Sequence, residues 1–251
     1  MTSKKIMIVV MLVSLAFAAL SFSVKAGDSK ANNYGADVFN RIAKHYPQHF
    51  SLKDVNGNVV RIGSAGPLGS HLVKMFSTPT EIGWIQWWGR KPVGANKEIT
   101  SMCHIRKNGK SSGAEILFHE RVSENGFPSE DFWRCLVLET YNATAAREFG
   151  EIQDLKKAKK LTPNQIAEGM VRTEFESITK AQQFQNEIWI PFCIKNNILV
   201  SSETWFFDGK CTYLEWRSKL EKSKKGRSYL QSYGYQTGKA NATGAVPNDR
   251  H

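Results

Sequence analysis

The sequence contains six histidines and several carboxylates, the side chains best suited to transfer a proton or bind a metal. Cys103 and His104 are adjacent, so a thiol stands beside a base that could activate it as a nucleophile. Neighbouring side chains on a strand point to opposite faces, so this pair cannot form a catalytic dyad by itself. Only the fold could bring together the other candidates for hydrolytic chemistry: His45, His49, His71, His119, Glu115 and Glu120.

Local motifs do not indicate an activity. The sequence has no HExxH zinc motif, no P-loop, no dinucleotide-binding GxGxxG and no calcium loop. His45 and His49 have the spacing of metal ligands on a helix, but Pro47 between them breaks such a helix. We therefore predict no metal site and no cofactor, and we favour a protein that is not an enzyme.

An aromatic segment offers one candidate binding surface. In a strand, Trp84 and Trp88 lie on one face and Trp87 lies on the other. An exposed tryptophan beside Arg90 and Lys91 could stack on a sugar ring or a base, or could anchor a protein interface. The alternative interpretation is that these aromatic side chains belong to the core.

A basic segment offers a second candidate surface. Residues 217–227 contain six lysines or arginines and a single glutamate. Binding of an anionic polymer there would weaken steeply with salt, because counterions are released on contact. The alternative is a solvated helix. The candidate binding residues are Arg217, Lys219, Lys224, Lys225 and Arg227.

The N-terminus has the pattern of a secretory signal peptide. Lys4 and Lys5 precede an uncharged apolar stretch over residues 6–24, and Ala26 follows at a position suited to cleavage. We predict a signal peptide over residues 1–26 and a periplasmic or secreted mature protein. The apolar stretch approaches the length that spans a bilayer, so an uncleaved membrane anchor is the alternative.

The predicted export affects how the net charge and the cysteines are interpreted. Removing residues 1–26 lowers the net charge from +11 to +8. The remaining positive charge would attract anionic lipids, cell-wall polymers, nucleic acid or an acidic protein. Four cysteines in an oxidising compartment predict two disulfides. We favour Cys103 with Cys135 and Cys193 with Cys211, because each pair would lie in neighbouring predicted elements.

Hydrophobic periodicity and turn residues predict the elements. A helix over 37–45 is followed by a hairpin of 50–55 and 58–62 around Asn56 and Gly57. Residues 63–80 form a loop with a short helix near 71–75. The later strands are 84–88 and a second hairpin of 99–106 and 114–121.

The second half begins with helices and ends with strands. Helices start at 129, 143 and 163, the last continuing to about residue 185. Three strands, 187–195, 198–207 and 211–216, form a C-terminal β-meander. The predicted class is α+β, with antiparallel hairpins and this meander packed against the central helices. Residues 27–33 are flexible, 34–230 form a single domain, and 231–251 are a disordered tail.

The preferred function is an exported, basic, non-enzymatic binding or assembly module of the cell envelope, for example an accessory of a secretion or transfer system. Its partner would be another envelope or secreted protein, or an anionic polymer. One alternative is a secreted hydrolase acting on an anionic polymer such as cell wall or nucleic acid. Another is an exported inhibitor or effector that binds another protein.

Overall fold

The computed structural model describes residues 28–77, 85–87, 101–108, 111–201, 203–207 and 210–235. This part of the chain is mostly helical, so the α+β prediction with its C-terminal meander and two disulfides is wrong. Trp84, Trp88, Arg90 and Lys91 lie outside the described residues, as do the predicted signal peptide and most of the predicted tail.

The elements follow one another in a fixed order. Helix α1 covers Asp28–His45, and a hairpin of β1 (Ser51–Lys53) and β2 (Val59–Arg61) follows. After it come α2 (Pro67–Ser77), β3 (Ile85–Trp87), β4 (Ser101–Asn108) and β5 (Ser111–Phe118). The later helices are α3 (Ser129–Thr144), α4 (Ala146–Lys157), α5 (Pro163–Phe184), α6 (Ile190–Lys195), α7 (Tyr213–Lys222) and α8 (Lys224–Ser232).

The first hairpin lies where the sequence predicts it. Strands β1 and β2 pair antiparallel, with Leu52 opposite Val60. The turn differs from the expected two-residue type, because Gly57 alone takes a positive φ, of 84°. The Asp54 carboxylate accepts hydrogen bonds from the backbone N–H groups of Asn56 and Asn58 at 2.9 and 2.7 Å. The Asn58 side-chain amide also donates to this carboxylate at 2.9 Å and, together with the backbone bonds, lowers the pKa of Asp54. These bonds fix the turn as a longer loop with glycine at its positive-φ position.

The second sheet has three strands in the order β3-β5-β4. The predicted second hairpin is present as the antiparallel pair β4 and β5, and the short strand β3 joins β5 in parallel. Helix α3 packs on β4 and β5. Ala114, Ile116 and Phe118 of β5 alternate on the covered face and are buried, which explains why this sheet needs the helix.

The buried side chains form two clusters. The larger core joins α1, α2, α3 and both sheets around aromatic residues such as Phe39, Phe132 and Trp133. The smaller cluster lies between α5, α7 and α8. Its buried members are Val171, Ile178, Phe207, Trp216 and Leu230.

The predicted meander is replaced by helix and irregular chain. Helix α5 continues through a π-helical turn, Gln185–Trp189, directly into α6. Proline in a regular helix lacks an N–H and clashes with the carbonyl four residues earlier, and the wider π-turn just before Pro191 accommodates it. The aromatic and β-branched residues of 187–200 suggested strands, but most of them pack on the larger core from this helix and the segment after it, whereas Ile194 is exposed.

The predicted disulfides are also wrong, because all four cysteines are free thiols. Cys193 lies on α6 and faces the larger core, whereas Cys211 precedes α7 and packs on the smaller cluster. Cys103 on β4 and Cys135 on α3 both contact the larger core without pairing. The expected pairing of Cys193 with Cys211 depended on a meander that does not form.

Among the described helices, none combines the length and the apolar character needed to cross a bilayer.

Candidate functional site

The basic segment predicted at 217–227 forms a corner between two helices. Helix α7 begins with a capping box, in which Thr212 and Glu215 bond each other's backbone N–H groups. Helix α8 is capped by Ser223, whose Oγ accepts from the N–H of Gly226 at 2.9 Å. A Cβ on Gly226 would lie 2.2 Å from the Leu220 carbonyl oxygen, so the tight corner requires glycine there.

Arg217 differs from the other predicted binding residues because it is buried. Its guanidinium donates to Glu221 at 3.0 Å and to Glu168 at 3.4 Å, and it lies 4.4 Å from the centre of the Tyr235 ring. A guanidinium paired on two sides and covered by an aromatic ring ties α7 to α5. Arg217 is therefore a structural residue in this fold.

The carboxylates around the corner are also used internally. Tyr213 donates to Glu168 at 2.6 Å, and Tyr229 donates to Glu174 at 2.5 Å. Tyr233 donates to the same oxygen of Glu174. Burial and the adjoining Glu174 raise the pKa of both Tyr229 and Tyr233, so these phenols stay protonated donors. The acids of this region thus hold helices together.

The cations of the corner remain on the surface. We call this set the basic corner, and each of its five members is exposed: Lys219, Lys222, Lys224, Lys225 and Arg227. Lys224 and Lys225 lie in the first turn of α8, which contains no acid. Cations at the positive end of a helix dipole are unfavourable by about 0.3–1 kcal/mol, so helix stability does not explain their placement.

A second lysine cluster differs from the basic corner in its position along the helix. Lys156, Lys157, Lys159 and Lys160 are equally exposed, and they lie in and just after the last turn of α4. Cations stabilise the C-terminal end of a helix, so this cluster has a structural explanation.

The other predicted binding surface is the aromatic segment around Trp87. The structure places Trp87 in the short strand β3. The proposed role of Trp84, Trp88, Arg90 and Lys91 stays a prediction, because these residues lie outside the described ranges.

The four histidines whose side chains the structure describes do not form one cluster. His49 is buried and donates to the Val122 carbonyl at 2.8 Å, while its other ring nitrogen lies 3.1 Å from the Ser129 hydroxyl. His119 caps the following short 3₁₀ helix by accepting from the N–H of Arg121. Burial lowers the pKa of His49, which therefore acts as a neutral structural group. His45 lies exposed on α1, and His71 lies on α2.

His71 belongs to an open groove between α2 and the π-turn. The groove has a volume of about 670 Å³. Nε2 of His71 lies 3.2 Å from the Tyr141 hydroxyl, and burial together with Lys74 lowers the pKa of the imidazole. The walls of the groove combine apolar and ionisable side chains: Pro67, His71, Glu187, Ile188, Pro191 and Phe192. Sequence reasoning missed this groove because the π-turn that forms one wall was predicted to be a strand.

Residues 109–113 have the GxSxG spacing of a hydrolase nucleophile elbow. That motif acts at a sharp strand-to-helix turn, which exposes the serine. Here Ser111 and Ser112 begin strand β5 of an antiparallel hairpin. Ser111 therefore begins a strand, whereas the motif requires a serine at the turn from a strand into a helix.

A buried carboxyl lies between α3 and β4. Glu139 accepts from the Ser101 hydroxyl at 2.8 Å and from the Asn142 amide at 3.2 Å. Burial raises the pKa of Glu139 to about 7, and it raises that of Cys135 to about 11. The Oδ1 atom of Asn142 is buried with no hydrogen-bond partner.

Like that of Cys135, the thiol of Cys103 is not an activated nucleophile, because burial and nearby carboxylates raise its pKa. Within the described ranges, no group of three or more histidine, cysteine or acidic side chains could hold a metal ion. Comparisons with known proteins find no matching family model, no matching curated protein and no matching solved structure.

Proposed function

We propose that this chain is exported and acts as a non-enzymatic binding module of the cell envelope, which holds an anionic polymer at the basic corner. The observation behind the proposal is the separation of charge in the C-terminal helices. Glu168, Glu174 and Glu221 are bound to tyrosines or to Arg217, whereas five cations face solvent within residues 219–227. Arg227 also donates to the Glu221 carbonyl oxygen at 2.9 Å, and the positive field of the corner attracts anions.

A polymer suits this surface better than a small anion. The cations are spread along two short helices, so they match repeated charges rather than one phosphate or carboxylate. Each contact releases condensed counterions, which makes the affinity a steep function of salt. The signal-peptide pattern of residues 1–26 supports export, where phosphate- and carboxylate-bearing polymers are present.

The non-enzymatic part of the proposal has its own support. Of the histidines whose side chains the structure describes, His49 and His119 are engaged in structural hydrogen bonds and His45 is exposed on α1. The buried thiols have raised pKa values, which disfavours thiolate chemistry at neutral pH.

The test compares two quadruple variants of the exported chain. Lys219, Lys222, Lys224 and Lys225 are changed to Gln in one, and Lys156, Lys157, Lys159 and Lys160 in the other. Both variants lose the same charge, so they differ only in where the charge is lost. Binding of fluorescent polyphosphate is measured from 50 to 300 mM salt.

We expect the corner variant alone to lose most of its affinity. Its slope of log K against log salt should flatten by about 3, since each phosphate contact contributes about 0.7–0.9. Equal losses in the two variants would show that net charge acts without a defined site, which would overturn the proposal. The intact mass of protein recovered from the envelope tests export: it should lack residues 1–26.

A further inference from the structure

Four of the exposed apolar side chains lie in two adjoining segments. Val55 and Val59 are 58% and 57% exposed on the first hairpin. Ile194 and Leu199 are 68% and 82% exposed around the end of α6. We call these four side chains the apolar patch. Large aliphatic groups left in water at one place mark interaction surfaces more often than scattered ones do.

One backbone hydrogen bond joins the two segments. The N–H of Val55 donates to the Asn197 carbonyl at 2.8 Å, so the hairpin tip rests on the loop after α6. The four side chains of the patch are therefore carried by two segments that lie about 140 positions apart in sequence and contact each other.

The backbone under the patch is well fixed. Helix α6 ends in a Schellman motif, with Asn197 at a φ of 52°, the N–H of Ile198 bonded to the Cys193 carbonyl, and that of Asn197 bonded to Ile194. On the hairpin, three hydrogen bonds to Asp54 fix the turn between the two valines. A rigid surface loses little conformational entropy when it binds.

Cations border the patch. Leu52 is buried and Val60 is half-buried on the inner face of the hairpin. The outer face therefore carries Val59 with Lys53, its partner across the strands, and Arg61, two residues along the same strand. Lys195 is exposed beside Ile194. The acid of this turn, Asp54, is bonded to Asn56 and Asn58.

We propose that the apolar patch is a docking surface for a different protein, whose matching face has an apolar centre and an acidic rim. Charge decides between this partner and a second copy of the chain. Two copies facing each other would bring Lys53, Arg61 and Lys195 against like charges, which opposes association. A partner with carboxylates at those positions would gain steering and register from the same three cations.

The patch is distinct from the basic corner, so this inference does not depend on the proposed function. An exported chain with a polymer site and a separate protein site would connect the two ligands. Its role would then be that of an adaptor in an envelope assembly.

The probe is a synthetic amphipathic helical peptide with a leucine stripe flanked by glutamates, and its binding to the exported chain is measured by fluorescence anisotropy. A peptide with lysines in place of the glutamates is the charge control. We expect the glutamate peptide to bind at least tenfold more tightly than the lysine peptide. Failure of the glutamate peptide to bind, or equal binding of both, would overturn the proposal.

Two double variants locate the binding. Ile194→Ser with Leu199→Ser should weaken binding of the glutamate peptide at least tenfold. Leu155→Ser with Leu214→Ser, which removes two other exposed leucines, should leave it unchanged. Equal losses in both would show non-specific apolar binding and count against the patch.

Charge reversal and two controls complete the test. Lys53→Glu with Arg61→Glu should reverse the preference toward the lysine peptide, and a preserved preference would contradict the proposed rim. The basic-corner variant should still bind the glutamate peptide; loss there would assign the peptide to the corner instead. Sedimentation of the chain alone should show no dimer, and a dimer abolished by Ile194→Ser with Leu199→Ser would assign the patch to self-association.

Discussion

The two buried clusters are held together by different forces. In the larger core, apolar and aromatic side chains dominate, and its buried donors bond oxygens of several kinds: Trp133 donates to the His49 carbonyl at 2.9 Å and Trp205 to the Glu130 carboxylate at 3.1 Å. In the smaller cluster, carboxylates do much of the joining, through Glu168 with Arg217 and Glu174 with two tyrosines. We expect the larger core to supply most of the global stability, and the smaller cluster to set how firmly α7 and α8 are attached.

The largest expected effect is in the larger core. Trp133→Ala should lower the free energy of unfolding by about 3–5 kcal/mol, because it removes a fully buried aromatic and leaves a cavity. Urea denaturation followed by circular dichroism measures this. Trp216→Ala in the smaller cluster is the matched change, and it should mainly loosen residues 213–235. If Trp216→Ala destabilised the whole chain as much as Trp133→Ala, the two clusters would not be separable.

The next effect is a pH dependence from Glu139. A carboxyl whose pKa rises from 4.5 to about 7 on folding binds its proton more tightly in the native state. Its stabilising contribution is complete below pH 4.5 and is lost as the pH rises toward and through 7. The change amounts to about 3 kcal/mol. Glu139→Gln should remove this dependence between pH 5 and 8 in urea titrations, and an unchanged pH profile would contradict the assignment.

A smaller effect is expected in the attachment of α8. Glu174→Gln replaces charge-assisted hydrogen bonds from Tyr229 and Tyr233 by neutral ones, at a cost of about 1–2 kcal/mol. Hydrogen exchange should therefore quicken in residues 224–232 and stay unchanged in α3. Uniform acceleration over both helices would show that the smaller cluster unfolds only with the rest of the molecule.

The smallest expected effect is that of a reductant. Since all four cysteines are free thiols, the urea midpoint should not move when dithiothreitol is added. A thiol titration of the unreduced, denatured chain should detect all four cysteines, Cys103, Cys135, Cys193 and Cys211. A reductant-sensitive midpoint or a smaller thiol count would restore the disulfide prediction.

Local signals in the sequence located many elements. Thr162 and Pro163 predicted the start of α5, and the capping box with Gln165 is present. Asn56 and Gly57 located the first hairpin, because a turn of this kind depends on a few adjacent residues. Tertiary packing decided the rest. Residues 187–195 have strand-like composition, yet continuing α5 places Trp189 and Cys193 in the larger core, and burial outweighs local propensity.

The candidate site was predictable in part. The number of charged residues identified the basic segment, but it could not distinguish the buried Arg217 from its exposed neighbours. That difference depends on Glu168, 49 residues away. The apolar patch escaped prediction for a similar reason. Its two halves meet through one hydrogen bond between distant segments, and exposed valines look like ordinary strand residues in a sequence.

The π-turn also sets the direction in which each side chain of α6 points around the helix axis. A π-turn contains one more residue than the corresponding α-helical turn, and each residue of an α-helix turns the chain by about 100°. Deleting one residue from Gln185–Trp189 would therefore rotate α6 by roughly a quarter of a turn or more. Cys193 would leave the core, and Pro191 would meet a regular helical carbonyl. The geometry of the surface near Asn197 is thus encoded by a single extra residue eight to twelve positions earlier.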